Sequence, residues 1–203
     1  MSTLTLYEHE LSGNSYKVRL FLSLLGLPFE ARRVDLFKGA GQQPAYLEIS
    51  ALGQVPALVD GEDALRDSQA ILFYLARTRG GGRWLADDAL GQARTIAWLS
   101  LAANELANGP AALRIAARFK RPVNVEWATT LTRRAFGLMQ STLARQPWLM
   151  PGGHPSIADI ACFPYTALAH EGEFSLADYP AIIAWIDRIR ALPGFVGMEG
   201  IQP

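Results

Sequence analysis

One cysteine, Cys162, occurs in 203 residues, so neither an internal disulfide framework nor a multi-cysteine metal cluster is possible. Net charge is missing too: Lys plus Arg number 19 and Asp plus Glu number 19. A neutral chain lacks the cationic excess that neutralises phosphates, which argues against a nucleic-acid partner. Lysine is scarce, 3 against 16 Arg, and the basic residues are spread along the chain. Long apolar runs are absent. The most apolar stretch, Val18 to Phe29, is broken by Ser23, Gly26 and Pro28 and falls short of the roughly 20 residues that cross a bilayer. The start, Met1-Ser2-Thr3-Leu4-Thr5-Leu6, has no basic end, long apolar core or small-residue cleavage site, so it does not read as a signal peptide. A soluble, cytoplasmic protein with no membrane partner is expected. Catalytic signatures are also lacking: there is no G-x-S-x-G elbow, H-E-x-x-H, Walker loop or dinucleotide fingerprint. His9, His154 and His170 stand at no metal-ligand spacing, so no metal site is expected.

What is present is apolar residue, 50% by the wide count against 19% charged, which excludes disorder and provides for a sizeable core. The length allows one large domain or two small ones, at roughly 100–200 residues per domain. Leu4 and Leu6 start a strand, and Val18, Phe21, Leu22 and Leu25 form a helical stripe from Ser15 that Gly26 and Pro28 end. Phe29 to Leu36 reads as a second strand and Val55 to Val59 as a third. Asp60-Gly61 signals a hairpin, Ala64-Leu65 the returning strand, and Asp67-Ser68 the cap of the next helix. This β-α-β, β-β-α order is an α/β unit with a mixed sheet. Gly80-Gly81-Gly82 marks a linker, after which the pattern is helical almost to the end. Ser156-Ile157-Ala158-Asp159 fits a capping box opening a helix that holds Cys162 as an inert buried residue. The expected division is residues 1–77, a linker over 78–88, and an all-helical unit over 89–203.

Three segments of the first unit carry candidate chemistry. Leu11 to Arg19 places Ser12, Asn14 and Ser15 at a strand-to-helix turn, where unpaired N–H groups and about half a positive charge favour an anion. A serine hydroxyl there can donate to a thiolate, although a plain helix cap is the simpler local role. Gly53-Gln54-Val55-Pro56-Ala57-Leu58 contains an X-Pro bond; if it is cis, the Val55 backbone is free to pair with an extended peptide. Arg66-Asp67-Ser68-Gln69 opens a helix whose N–H groups and Ser68 suit a carboxylate while Asp67 suits an ammonium, or Asp67 simply caps.

With their order and spacing, these segments and the capped helix at Ser156 resemble the cytosolic glutathione transferases, of a bacterial serine type like the theta, delta and nu classes. The resemblance covers essentially the whole chain. It implies a thioredoxin-like N-terminal domain with a mixed four-stranded sheet and helices, followed by an all-helical C-terminal domain, in a homodimer. It implies glutathione as co-substrate, with no permanently bound cofactor, and a small hydrophobic electrophile as second substrate. Ser12 then matches the catalytic serine that hydrogen-bonds the glutathione sulfur, with Asn14 and Ser15 beside it. Val55, before Pro56, matches the residue that pairs with the cysteinyl backbone; Asp67 and Ser68 match the pair that holds the γ-glutamyl end. Gln54 and the 38–43 loop, through Lys38, Gln42 or Gln43, face the glycyl carboxylate; here the chain departs from the family pattern at Gly41 and Ser50-Ala51. Trp98, Asn104, Asn108, Arg114 and Phe119 lie on the segment that walls the second-substrate pocket, of which only some can face it; His9, between Glu8 and Glu10 beside the sulfur site, is able to touch substrate, and Asn104 has the alternatives of the glutathione site or the dimer contact.

The implied chemistry is thiol activation. A free thiol has a pKa near about 8.5, and a lowering of about two units, worth roughly 2.7 kcal/mol, makes thiolate the majority form at neutral pH. No cysteine stands near Ser12, which argues against a glutaredoxin-like covalent route. Glutathione-dependent disulfide or peroxide reduction, and a non-catalytic binding protein of the same fold, are the rival readings. A neutral chain suits a small anionic peptide held by a few local groups.

Overall fold

The computed structural model describes residues 4–202; the reading of Met1, Ser2 and Thr3 lies outside them. Strand β1 (Leu4–Glu8) leads to helix α1 (Gly13–Leu24) and strand β2 (Phe29–Arg33). After two single 3-10 turns come α2 (Pro44–Leu47), β3 (Ala57–Asp60), β4 (Asp63–Arg66) and α3 (Ser68–Arg79). The sheet runs β2-β1-β3-β4, with β1 and β2 parallel and the other two pairings antiparallel, the mixed sheet expected from the hairpin.

Details of register depart from the sequence reading for local reasons. β2 stops at Arg33 because Asp35 turns the chain, its carboxylate accepting from Lys38 N at 3.3 Å. β3 begins at Ala57, since Pro56 has no N–H to give a ladder. The hairpin turn is Gly61-Glu62, one residue beyond Asp60-Gly61, with Asp60 paired to Asp63 and Gly61 at φ 65°. On β2, Glu30 to Arg33 are exposed, so the parallel edge carries charge that discourages pairing with another chain.

The second domain is helical: α4 (Ala89–Ala103), α5 (Glu105–Asn108), α6 (Pro110–Phe119), α7 (Val125–Leu143), α8 (Ile157–Ala167) and α9 (Pro180–Arg190). Gly109-Pro110 divides α5 from α6, Pro110 taking the first-turn position where its missing N–H costs nothing. α8 is the central rod. Its capping box forms as read, and the buried Asp159 carboxylate accepts from Ser156 N (2.9 Å), Ser156 Oγ (3.0 Å), Leu149 N (2.9 Å) and Trp185 Nε1 (2.9 Å).

One apolar cluster runs from Leu6, Phe21 and Leu72 of the first domain through Phe163 of α8 to Trp185 of α9. The segment after α3 is docked onto it: Trp84 packs edge-on to Phe21 at 5.1 Å and its carbonyl accepts from Ile157 N at 2.9 Å. No helix among the described residues is long and apolar enough to cross a membrane.

Candidate active site

The start of α1 sits at the border of two hollows. Ser12 is the helix cap: its backbone is extended and its Oγ accepts from Ser15 N at 3.2 Å. Accepting uses only a lone pair, so the hydroxyl hydrogen remains available to a ligand. The cap and thiolate-donor readings of Ser12 are therefore compatible. Ser12 opens onto a cleft of about 280 Å³ walled by Leu36, Phe37, Ile115 and Phe119, with His9 and Leu11 at its base and Arg121 also along it.

Two residues along α1, Asn14 enters the second hollow, a groove of about 60 Å³ that also takes Gln54, Val55, Pro56, Arg66, Asp67 and Ser68. The Val55-Pro56 bond is cis. Asp67 caps α3, its Oδ1 accepting from Gln69 N (2.9 Å) and Ala70 N (3.0 Å). It does so at φ 73°, a left-handed value that a non-glycine residue adopts at a cost of about 1–3 kcal/mol. Strain of this kind gathers where a side chain must be aimed. Ser68, 3% exposed, donates to Gln69 Oε1 at 2.7 Å and lies 3.5 Å from Asn14 Oδ1, which links the two helix starts.

The wall opposite is held by Tyr46. Its phenol donates to the Gln54 carbonyl at 2.8 Å, an oxygen that also accepts from Ser50 Oγ at 2.9 Å. Burial pushes the Tyr46 phenol up to about 12, so it remains a donor. Gly41 and Gly53 pass so closely that a Cβ on Gly53 would strike the Gly41 carbonyl and the Gln42 amide. Gly53 also has φ 63°, so glycine is required there twice over.

Residues 6–83 match the glutathione S-transferase N-terminal domain and residues 103–188 the glutathione S-transferase C-terminal domain. The chain belongs to the glutathione S-transferase family. It is 34% identical over 192 residues to disulfide-bond oxidoreductase YfcG of Escherichia coli (strain K12), covering 89% of this chain and 87% of that protein. It is 31% identical over 205 residues to glutathione S-transferase theta-1 of Bos taurus, covering 95% of this chain and 85% of that one. A solved glutathione S-transferase from Xanthobacter autotrophicus Py2 superposes with a TM-score of 0.87 at 34% identity, over 96% of both chains.

Within this glutathione S-transferase framework, six of the residues picked from sequence stand outside the lining of both hollows. Ser15 is fully buried; its Oγ accepts from His9 N at 3.3 Å and braces the turn instead of lining either hollow. Gln42 is exposed and lies over Gly53, beside the groove and outside its lining. Asn104 and Asn108 do not line the cleft: Asn108 Nδ2 donates to the Asn104 carbonyl (3.0 Å) and Oδ1 (3.2 Å) across the α4–α5 break. Arg114 is buried under the cleft, paired with Glu171, and its Nη1 donates to the Leu11 carbonyl at 2.9 Å. Its neighbour Ile115 faces the cavity instead, since one residue is a 100° turn of a helix. Trp98 lines a different groove, between α4 and α7, while Phe119 does wall the cleft.

The sequence reading passes over Phe37, Leu36, Ile115 and Arg121. A detectable signal was the i, i+4 pair Ile115 and Phe119 at the end of α6. It also passes over Lys17, whose side chain is fully buried, with Nζ 3.4 Å from Gln69 Oε1 and 5.4 Å from the Tyr165 ring centre. Desolvation lowers the Lys17 ammonium from 10.5 to about 8, against the raising influence of Cys162 and Asp67. Cys162 is buried and its thiol is pushed well above the ordinary range by desolvation. No group of three metal-ligating side chains occurs among the described residues.

Proposed function

We propose that the protein is a glutathione transferase that presents the thiolate of bound glutathione to a small hydrophobic electrophile. The observation that carries this is Ser12: its oxygen is fixed as a helix cap while its hydrogen is free, at the rim of an apolar cleft. The hydroxyl donates to the sulfur, and the α1 N-terminus adds its positive end. The γ-glutamyl carboxylate lies on Ser68 and the first N–H groups of α3. Its ammonium takes Asp67 Oδ2, the oxygen not used in capping. The Val55 backbone pairs with the cysteinyl unit beside Pro56 and Asn14, and Gln54 with Gln42 meets the glycyl end. The electrophile enters between Phe37, Ile115 and Phe119, above His9. The protein thus supplies orientation and thiolate stabilisation while glutathione supplies the nucleophile.

A homodimer is supported by a further apolar hollow of about 350 Å³ between α3 and α4, lined by Ala70, Phe73, Ile96 and Leu99, with Ile96 49% exposed. We assign it to contact with a second copy, so sedimentation should give twice the chain mass of 22.2 kDa.

The similarity to a disulfide-bond oxidoreductase favours a second reading, reduction of disulfides by bound glutathione. With Cys162 buried, that route would have to run on glutathione thiols alone. Parallel assays with an aromatic halide, a hydroperoxide and a glutathione mixed disulfide separate the two. For the transferase reading, Ser12→Ala should lower conjugation about 100-fold, as loss of a donor to a developing charge does, with glutathione affinity nearly intact. Unchanged turnover in that variant sinks the assignment.

A further inference from the structure

His9 is 3% exposed and lies at the base of the cleft beside Ser12. Its Nδ1 is 3.2 Å from Leu11 N and 3.8 Å from Glu10 Oε2. The backbone N–H can only donate, so the closer contact makes Nδ1 the acceptor and leaves the ring proton on Nε2. Nε2 is buried with no hydrogen-bond partner among the described residues. An unpaired buried donor is destabilising, and native proteins retain one where a ligand repays it. Phe37 packs on the imidazole at 5.1 Å between ring centres and on Phe119 at 6.0 Å; the residue is 58% exposed on a three-residue turn and so can swing outward. A second unpaired donor, Arg114 Nη2, belongs to the guanidinium that holds the Leu11 carbonyl, so the same loop is flanked by two donors short of acceptors. Leu36, Ile115 and Phe119 give the cleft hydrocarbon walls, and Ser12 and Arg121 are its other polar side chains.

We propose that the electrophile taken by this cleft is a conjugated enone, whose carbonyl oxygen displaces the Phe37 edge and accepts from His9 Nε2. This rests on the transferase reading and names its substrate class. The glutathione sulfur bonds to the β-carbon, the C=C pair shifts, and the negative charge arrives on the carbonyl oxygen as an enolate. The neutral imidazole N–H stabilises that oxygen without giving up its proton. A proton from water then adds to the α-carbon, and no group leaves. Displacement of a halide puts the charge on the departing ion and has no such need of His9.

The test compares benzalacetone, an enone, with benzyl chloride, a halide of similar size, in wild type, His9→Phe and His9→Gln. His9→Phe keeps a ring without the donor, and should lower the ratio of enone to halide kcat/KM by on the order of 100-fold. His9→Gln, which restores an N–H, should recover much of that ratio, while the thiolate absorbance titration of bound glutathione stays where it is in wild type. An unchanged ratio, or equal losses on both substrates, overturns the proposal; so does a moved thiolate titration, which would put His9 on the sulfur. A wild type that binds glutathione yet conjugates neither compound defeats the transferase reading. The inference then stands or falls on the saturated ketone benzylacetone, bound beside S-methylglutathione. A shift of the imidazole N–H resonance in the unmutated protein supports it, and no shift overturns it.

Discussion

The guanidinium of Arg114, on α6, donates to the carbonyl of Leu11, the residue before Ser12, at 2.9 Å. A side chain of the helical domain thus fixes the loop of the first domain that carries the proposed thiolate donor. The same guanidinium pairs with Glu171, which also holds Arg118. Arg114→Leu removes one partner of a buried pair and leaves the Leu11 carbonyl without its donor, so we expect a loss of about 2–4 kcal/mol in urea unfolding. Arg114→Lys should recover less than half of it, because one ammonium does not span both Glu171 and Leu11. Full stability in Arg114→Leu would show that the strut is idle.

Lys17 predicts an alkaline effect of definite sign. Its folded-state value, about 8, lies below the ordinary 10.5. Below pH 8 both states carry the proton and the cost of burying the ammonium is felt in full. Between 8 and 10.5 the unfolded chain holds a proton that the folded chain has released, so stability from this group rises with pH through that window. Lys17→Met should therefore be more stable than wild type near neutrality, by roughly 1–3 kcal/mol, with the advantage shrinking towards pH 10.5. A gap that is constant between pH 7 and 10.5 contradicts a depressed Lys17.

Asp159 accepts from four groups, two on Ser156 and one each on Leu149 and Trp185. In Asp159→Asn an amide N–H₂ must face either Ser156 or the Leu149 and Trp185 donors, setting donor against donor. The expected cost is about 3 kcal/mol, or roughly 6–12 °C in melting temperature. Melting within about 2 °C of wild type would mean that the pocket rearranges around the amide.

Cys162 should resist iodoacetamide in the folded protein at pH 8 and react only on unfolding, since burial both screens the sulfur and disfavours the thiolate. Rapid labelling under native conditions, followed by mass spectrometry, would contradict this.

Local rules made much of this readable before any coordinates. Asp67 and Ser156 cap helices as their spacing indicates, and the hairpin makes the sheet mixed. Ser12 was legible in kind, although a cap and a thiolate donor looked like alternatives until its lone pair and its hydrogen were seen to have different uses. Which of Ser15, Asn104, Asn108 and Arg114 face a hollow was not legible, because their directions depend on helix phase and on how α6 docks, neither of which is written in residue types. Phe37 sits on an exposed turn with no periodic neighbours to point at it. Lys17 stood in plain view, a lone cation beside the apolar stripe of α1, but a long side chain there normally snorkels to water.

The apolar cluster that crosses from the sheet to α9 has a bearing on how the halves can be handled. Cut apart at the glycines after α3, each half would bare the surface it now gives to α8, Phe21 and Leu72 among the residues uncovered on one side. Grafting this first domain onto a foreign helical partner should give inclusion bodies unless the recipient's counterpart of α8 is carried across with it.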